Sequence, residues 1–146
     1  MSYSITSPVS DQEWQNYFQL RWEVLRAPWQ QPPGSERDEL EAEAFHLMAI
    51  DGDQYTVGVA RIHRLTEDSS QIRYMAVHPQ HQGKGIGSQL LEILEHQARV
   101  WCSKDILLNA RTTCMAFYQK HQYEVIGEAP TLFGSIAHRR MRKLLV

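Results

Sequence analysis

A glycine-rich loop at residues 82–88 is the part of this sequence best suited to chemistry, because its backbone could bind an anion. The loop lies between a predicted strand and a predicted helix and reads Gln82-Gly83-Lys84-Gly85-Ile86-Gly87-Ser88. Glycines allow backbone N–H groups to turn inward without an intervening side chain. The N-terminus of the following helix adds partial positive charge. This combination predicts a pyrophosphate site; the alternative interpretation is a flexible turn that starts a helix.

Two familiar phosphate-binding motifs do not fit this loop. A Walker A motif requires Ser or Thr after its Gly-Lys pair, but Gly85 follows Lys84, and His78 stands at the first glycine position. A dinucleotide-binding fingerprint requires a third glycine at a position that holds either Ser88 or Leu90 in this chain. The loop therefore differs from those of P-loop nucleotidases and of Rossmann dehydrogenases.

Elements of both types must position this loop. Apolar residues at helical spacing predict helices over 11–26, 85–101 and 113–121. Short or alternating apolar runs predict strands over 3–7, 45–50, 55–65, 71–77, 105–109, 123–126 and 136–146. One right-handed βαβ unit consists of strand 71–77, helix 85–101 and strand 105–109. The two strands of this unit are therefore parallel. The predicted fold class is therefore α/β, with one mixed sheet flanked by helices.

Local signals refine these elements. Ser10 and Glu13 predict a capping box at the start of the first helix. The pair Asp51-Gly52 predicts a hairpin turn. Glu95 and Arg99 are spaced for an ion pair on the outer face of helix 85–101. Residues 28–43, which are rich in proline and then in acids, are expected to be irregular.

The chain as a whole has the size and composition of one globular domain. Its 146 residues carry 15 Lys and Arg against 17 Asp and Glu, a formal net charge of −2, so a single domain over 1–146 is expected. The near-balanced charge argues against nucleic-acid binding, and no apolar run is long enough to predict a membrane span. Residues 1–5 lack the pattern of a signal peptide, and no Cys or His spacing indicates a metal site. We therefore expect a cytoplasmic protein without metal.

The glycine loop and the strand before it resemble a known family. The loop fits the Gln/Arg-x-x-Gly-x-Gly/Ala signature of the GNAT family of N-acetyltransferases, and the preceding strand ends as apolar-x-Val-x-Pro. The resemblance covers about residues 43–146. More narrowly, segment 20–28 and an ending with Phe117-Tyr118, His138 and Met141 are similar to the ElaA-like branch. The resemblance implies a GNAT fold whose central parallel strands splay apart.

The resemblance also implies a co-substrate, acetyl-CoA or another acyl-CoA. By analogy, backbone N–H groups of the loop would bind the pyrophosphate, and the end of strand 71–77 would pair with the pantetheine arm. Lys84 either adds charge at the phosphates or is a solvated loop lysine. Arg111 lies where many relatives hold the cofactor with an asparagine. The implied cofactor-binding residues are Met75, Ala76, Val77, Gln82, Gly83, Lys84, Gly85, Ile86, Gly87, Ser88 and Arg111.

Acyl transfer from a thioester to an amine requires a neutral amine, a stabilised oxyanion and a proton for the departing thiolate. Tyr118 matches the family tyrosine near the CoA sulfur and is the candidate acid, with a core tyrosine as the alternative. The family position for a glutamate base holds Ile106, and Asn109 is the only polar side chain nearby. His138 is the second candidate catalytic residue, on its resemblance to the ElaA-like ending. Other candidate bases are Glu43, His46, His63 and His78.

The sequence therefore predicts an enzyme, an acyl-CoA-dependent N-acetyltransferase acting on a primary amine of a small molecule, peptide or protein. The acceptor is expected between helix 11–26, segment 28–43 and the last strands, near Trp22 and Trp29. Five acids of this segment either recognise a cationic amine or are simply solvated: Glu36, Asp38, Glu39, Glu41 and Glu43. The basic ending 138–143 indicates a solvated strand, one residue of which could meet an acidic substrate.

Two further points stay open at the level of sequence. Strand edges pair in many members of this family, so a homodimer is compatible with the resemblance. The alternative function is a non-catalytic CoA-binding or interaction module with the same fold. Ile106 at the expected base position favours that module, whereas Tyr118 and the glycine loop oppose it.

Overall fold

Strands and helices follow one another along the chain in the predicted order, except that one predicted strand is divided in two. The α/β class is confirmed. The structure is a computed structural model that describes residues 2–145. Met1, at the N-terminus expected to lack a signal peptide, and Val146, at the end of the last predicted strand, lie outside the described residues. The strands are β1 (Ser4–Thr6), β2 (Phe45–Ile50), β3 (Thr56–Arg64), β4 (Ser69–Ile72), β5 (Ala76–Val77), β6 (Asp105–Arg111), β7 (Glu124–Leu132) and β8 (Ile136–Leu144). The α-helices are α1 (Asp11–Leu25), α2 (Ile86–Val100) and α3 (Met115–Lys120).

The strands form one mixed sheet in the order β1-β2-β3-β4-β6-β8-β7, and β5 pairs with β3 off this path. Strands β4 and β6 are parallel and the other pairs are antiparallel. The predicted βαβ unit is therefore present, with α2 as its crossover. Only short 3-10 turns, Ala27–Trp29 and Glu41–Glu43, interrupt the irregular segment between α1 and β2.

Helices cover the two faces of the sheet. Alternate residues of β2 point to opposite faces, so Leu47 and Ala49 join the core formed with α2, whereas Met48 joins the core formed with α1. The predicted capping box starts α1: the Glu13 N–H donates to Ser10 Oγ at 3.1 Å, and the Ser10 N–H donates to Glu13 Oε1 at 2.9 Å.

Helix α2 buries an apolar stripe of Ile86, Leu90, Leu91, Leu94 and Ala98. The predicted ion pair of Glu95 with Arg99 is wrong. Glu95 is buried instead, where it accepts hydrogen bonds from the Tyr123 hydroxyl at 2.9 Å and from Lys143 Nζ at 3.1 Å. Glu95 follows Leu94 directly and so lies on the border of the buried stripe. Within residues 2–145, no helix is both long enough and apolar enough to cross a membrane.

Two predicted strands differ from the observed ones. The closing strand expected over 123–126 is longer, because β7 runs from Glu124 to Leu132. Most of β7 is exposed on both faces, so its sequence lacks the alternation that marks a half-buried strand. The strand expected over 71–77 is divided into β4 and β5, with three residues between them. That division creates the cleft described next.

Candidate active site

A β-bulge separates β4 from β5 and opens the sheet. Strand β3 pairs with Ile72 through Ile62 and with Ala76 through Val59, so two residues of β3 oppose three residues, 73–75. Tyr74, in the middle, has φ 66°, a left-handed conformation that is unusual for a bulky residue. The pairing of β4 with β6 ends at Ile72 and Leu108. Beyond that point β5 and β6 diverge, and a cleft of about 490 Å³ lies between them.

The wall of this cleft on the β5 side is a strand edge. The His78 N–H donates to the Val57 carbonyl at 2.8 Å. Because partners alternate along an antiparallel pair, the N–H and C=O of Val77 point away from β3 and into the gap. Gln82 Nε2 donates to that Val77 carbonyl at 3.2 Å. Of the residues expected to bind the cofactor, Met75, Ala76, Val77, Gln82 and Arg111 line the cleft.

The glycine loop continues from Gln82 into the first turn of α2. Gly83 and Gly85 have φ 77° and 84°, which a residue with a side chain adopts only with strain. Gly85 is the N-cap of α2, and no side chain caps the helix. The loop can therefore present backbone N–H groups to an anion. Lys84 is exposed, which is compatible with both interpretations of it.

The remaining loop residues, 86–88, have side chains that are small or have partners within the protein. The side chain of Ile86 is buried in the core, so only its N–H is available to a ligand. A Cβ on Gly87 would lie 3.3 Å from Phe117 Cζ, which shows how closely α3 approaches this turn. Ser88 Oγ lies 3.0 Å from His121 Nε2 of the same region.

Tyr118 of α3 lies at the bottom of the cleft, and its hydroxyl is 3.8 Å from Met75 Sδ on the opposite wall. Burial raises the pKa of the Tyr118 phenol well above its usual value of 10. The phenol is therefore protonated at neutral pH and can donate a hydrogen bond. Cys114 lines the same part of the cleft.

His138 of β8 reaches the cleft beside Arg111, its cross-strand neighbour on β6. Its Nδ1 lies 2.9 Å from the Ile136 carbonyl, and since a carbonyl only accepts, Nδ1 carries the proton. Nε2 of the neutral ring then has a free lone pair. Burial lowers the pKa of His138 below its usual 6.5, and the positive charges of Arg111 and Arg26 lower it further. The ring is therefore a neutral base at neutral pH.

The other candidate bases lie elsewhere. His46 is buried between the Tyr17 hydroxyl, at 2.7 Å, and the Glu41 carbonyl, at 2.7 Å. His63 Nδ1 is 3.0 Å from Arg61 Nη2, His78 Nδ1 accepts from the Gln80 N–H at 3.1 Å, and Glu43 is exposed. Of the five candidates, His138 is the one on the cleft wall.

Three of the five acids in segment 36–43 have partners within the chain, and none of the five lines the cleft. Asp38 binds Arg61 at 2.7 Å and Arg73 at 2.9 Å, and Glu41 binds Arg21 and Arg61, each at 2.9 Å. Burial alone would raise the pKa of Asp38, but hydrogen bonds from Arg61 and from a backbone N–H lower it to about 2. The expectation that these acids attract a cationic amine is therefore wrong for both residues.

The other residues named in that expectation have different environments. Glu36 is buried against the Gly34 N–H and Arg37, and Glu39 is exposed. Trp22 Nε1 donates to the Gln31 carbonyl and so fixes the irregular segment. In the basic ending, His138 is buried, and Arg139, Arg142 and Lys143 pair with Glu128, Asp105 and Glu95.

Several cleft residues carry no signal in the sequence. Tyr74 is one, because its left-handed backbone comes from the bulge, and bulky residues do not predict that conformation. Arg26 and Arg73 also line the cleft, and nothing in their spacing separates them from surface arginines. Within residues 2–145, no group of three His, Cys, Asp or Glu side chains could hold a metal ion.

Comparisons with known proteins agree with this architecture. Residues 12–145 match the family described as the acetyltransferase (GNAT) domain. A Bacillus subtilis (strain 168) protein, named uncharacterized N-acetyltransferase YjcF, is 31% identical over 134 residues, which are 92% of this chain and 94% of the relative. The crystal structure of Escherichia coli ElaA matches with a TM-score of 0.79 at 22% identity, over 98% of this chain and 99% of that one. A GNAT family acetyltransferase from Elizabethkingia anophelis with acetyl-CoA bound matches with a TM-score of 0.72 at 14% identity, over 98% of each chain.

Proposed function

The chain belongs to the acetyltransferase (GNAT) family and is an N-acetyltransferase, and from this premise we propose that it transfers an acetyl group from acetyl-CoA to a primary amine by direct attack on the thioester. The observation that carries the proposal is the cleft between β5 and β6, which places a strand edge, a phenol and a neutral imidazole around one space. In the reaction, the amine nitrogen bonds to the acetyl carbonyl carbon and the carbon–sulfur bond breaks. The proton lost by the amine is balanced by the proton gained by the CoA thiol.

Acetyl-CoA fits the two parts of the site by chemistry. The pantetheine arm contains amides that can pair with the backbone of Val77, whose N–H faces the gap and whose carbonyl is shared with Gln82 Nε2, as an added strand would. The pyrophosphate of acetyl-CoA can accept hydrogen bonds from the N–H groups of residues 83–88, where no side chain caps the helix. Of the backbone N–H groups of residues 75–77, that of Val77 faces the gap and is the proposed donor to the oxyanion that forms during attack.

His138 is the proposed base. An alkyl amine is overwhelmingly protonated at pH 7, so attack requires that a proton be removed. Nε2 keeps its lone pair because Nδ1 carries the proton that is shared with the Ile136 carbonyl, and His138 lines the cleft. The nearby Arg26 and Arg111 also favour the neutral form of a bound amine, since a positive charge disfavours a second one beside it.

Tyr118 is the proposed hydrogen-bond donor to the departing sulfur. Its phenol is protonated at neutral pH because burial raises its pKa. A thiol is more acidic than this phenol. The hydroxyl therefore stabilises the developing thiolate by donating a hydrogen bond, and the proton that remains on sulfur comes from the amine through His138.

The proposal is tested with purified protein, acetyl-CoA and a panel of small primary amines, by following free CoA thiol and the mass of the acetylated amine. We expect acetyl-CoA to raise the melting temperature and at least one amine to be acetylated. Tyr118→Phe should lower kcat about a hundredfold, within the range for a lost hydrogen-bond donor to a developing negative charge, and leave the stabilisation by acetyl-CoA intact. Tyr55→Phe, at an exposed tyrosine, is the matched control and should change neither.

Three results would contradict this proposal. The first is the absence of any thermal shift with millimolar acetyl-CoA. The second is a thermal shift without acetylation of any amine, which would support the alternative of a non-catalytic CoA-binding module. The third is an unchanged kcat in Tyr118→Phe, which would remove Tyr118 from the reaction.

A further inference from the structure

We infer that the acceptor is a small amine that carries a carboxylate, and that Arg26 and Arg111 bind this carboxylate beside His138. This inference rests on the proposed function and names the substrate class of the same site. An α-amino acid is the simplest molecule of this class. Three observations support this inference: the charges of the cleft wall, the hydrogen bonds of the cleft arginines and the position of His138.

The cleft wall is cationic. Its charged lining residues within the described chain are Arg26, Arg73 and Arg111, and no Asp or Glu lines it. The acids of segment 36–43 are bound to other arginines, as described above. An acceptor with a second positive charge would therefore meet repulsion in this cleft without a compensating carboxylate.

Arg26 and Arg111 differ from most arginines of this protein. Arg73 and five others pair with carboxylates of the chain, namely Arg21, Arg37, Arg61, Arg139 and Arg142. In the part of the chain that the structure describes, no carboxylate lies within 4.0 Å of Arg26 or of Arg111. Arg64, Arg99 and Arg140 are also unpaired, but these three are exposed to solvent.

The two cleft arginines are buried to different degrees, and each has guanidinium N–H groups that are available to a ligand. Arg26 is 8% exposed and donates from Nε to the Ser35 carbonyl at 3.0 Å and from Nη1 to the Leu25 carbonyl at 2.9 Å. The other polar neighbour of its guanidinium among residues 2–145 is the Tyr74 hydroxyl, so no carboxylate compensates its charge. Arg111 lies over the Trp29 ring at 4.6 Å, and its guanidinium has no hydrogen-bond acceptor in the same range. Burial lowers the pKa of both groups.

An uncompensated guanidinium out of water is costly, and a carboxylate is the group that best relieves that cost because two N–H donors can bind its two oxygens. A carboxylate bound here lies next to His138, whose pKa both arginines lower. In an α-amino acid the amine is one carbon away from the carboxylate. Binding the carboxylate at Arg26 and Arg111 therefore brings the amine to the imidazole that would accept its proton.

The test compares amino acids with their carboxamides, which keep the amine and lose the negative charge. L-phenylalanine, L-leucine and L-lysine are each paired with the corresponding amide at saturating acetyl-CoA. The amine of an amide is less basic, so without carboxylate recognition the amide should react faster. We expect at least one acid to exceed its amide at least tenfold in kcat/KM. Arg111→Gln and Arg26→Gln should each lower kcat/KM for that acid about ten- to a hundredfold, the range for a lost charged hydrogen bond.

The same variants should lower kcat/KM for the amide far less than for the acid, and should leave the KM for acetyl-CoA unchanged. The smaller loss with the amide reflects only the effect of the two positive charges on His138 and on the bound amine. Arg64→Gln, at an exposed and unpaired arginine on β3, is the control and should change nothing. Amides that react as well as the acids would overturn the inference. So would an Arg111→Gln variant whose only defect is a raised KM for acetyl-CoA, because that result would assign Arg111 to the cofactor. Preference for phosphoethanolamine over every acid would also overturn it.

A binding measurement distinguishes failure of this inference from failure of the proposed function. Calorimetric titration of the same acids and amides into the protein saturated with CoA requires no turnover. Binding of an acid but not of its amide, lost in Arg111→Gln, supports the carboxylate site even if no amine is acetylated. Equal binding of acid and amide, or of neither, overturns the inference even if another amine is acetylated.

Discussion

Two residues, Ile106 and His138, bear on how this cleft could deprotonate an amine. Ile106 occupies the β6 position where the family resemblance leads one to expect a glutamate, and it is fully buried in the core. No carboxylate lines the cleft among the described residues. His138 comes from the neighbouring strand β8 and brings a neutral imidazole to the same space. A base on a different strand can replace the missing carboxylate because both strands border the same opening.

The pH dependence of the reaction tests this assignment. The pKa of His138 is lowered from 6.5, so its neutral, active form predominates at pH values above 6.5 and is lost as the pH falls through the lowered value. We expect kcat/KM to decline only below pH 6.5. His138→Gln should lower kcat/KM about a hundredfold at neutral pH and remove that decline.

The controls use other residues of the same kind. His96→Gln, at an exposed histidine of α2, should keep both the rate and the pH profile. Tyr118→Phe should lower the rate but keep the acid limb. An acid limb that persists unchanged in His138→Gln would assign the titration to a different group and exclude His138 as the base.

At the scale of elements, the sequence predicts most of the parts but not the bulge that opens the site or the length of β7. Strand β2 has the predicted bounds, 45–50, because its apolar run is bounded by polar residues. The splay follows only from the resemblance to the GNAT family. The bulge at Tyr74 depends on how β3 pairs with its neighbours, and a single sequence does not contain that register. The exposed strand β7 lacks the alternation that would have revealed its length.

The start of α2 allows a test of the glycine loop as an element. Gly85 has φ 84°, and a Cβ built on it meets no atom within 4 Å, so Gly85→Ala introduces backbone strain without a clash. We expect a loss of about 1–2 kcal/mol in the free energy of unfolding, the cost of a left-handed alanine. The same strain should also weaken binding of CoA. A loop that relaxes to relieve this strain turns its backbone N–H groups away from the pyrophosphate.

Gly52→Ala is the matched control for this substitution. A Cβ on Gly52 also meets no atom within 4 Å, and its φ is not in the left-handed region. This variant should keep the affinity for CoA and should not be destabilised. Calorimetric titration with CoA and denaturant unfolding measure the two effects. Normal CoA affinity in Gly85→Ala would show that the loop conformation does not contribute to binding.

At the scale of the whole molecule, one buried charge network joins the parts that surround the cleft. Asp38 and Glu41 of the irregular segment bind Arg61 of β3 and Arg21 of α1. The ring of Tyr74, in the bulge, lies within 5.1 Å of the guanidinium carbons of Arg21 and Arg61. The network therefore fixes the segment, the helix, the sheet and the bulge together. This arrangement explains why the acids do not contribute to the net charge of the cleft.

Asp38→Asn tests this network, because it leaves a fully buried Arg61 guanidinium without its closest carboxylate. Breaking a buried ion pair from one side costs about 3–5 kcal/mol. We expect a loss of that size in the free energy of unfolding at pH 7, measured in urea. The control is Asp68→Asn, because Asp68 pairs with Lys104 at 3.7 Å with both side chains more than 60% exposed. A surface pair contributes at most about 1 kcal/mol, so this variant should unfold almost like the wild type.

The difference between the wild type and Asp38→Asn should itself depend on pH. The pKa of Asp38 is lowered from 3.8 to about 2 in the folded protein. Its ionised form therefore contributes stability at pH values above 3.8, and this contribution is lost as the pH falls toward 2. The gap between the two unfolding curves should shrink over that range and stay constant above it. A gap that does not change between pH 5 and pH 2 would mean that packing of the Asp38 side chain, and not its charge, holds the segment against the bulge.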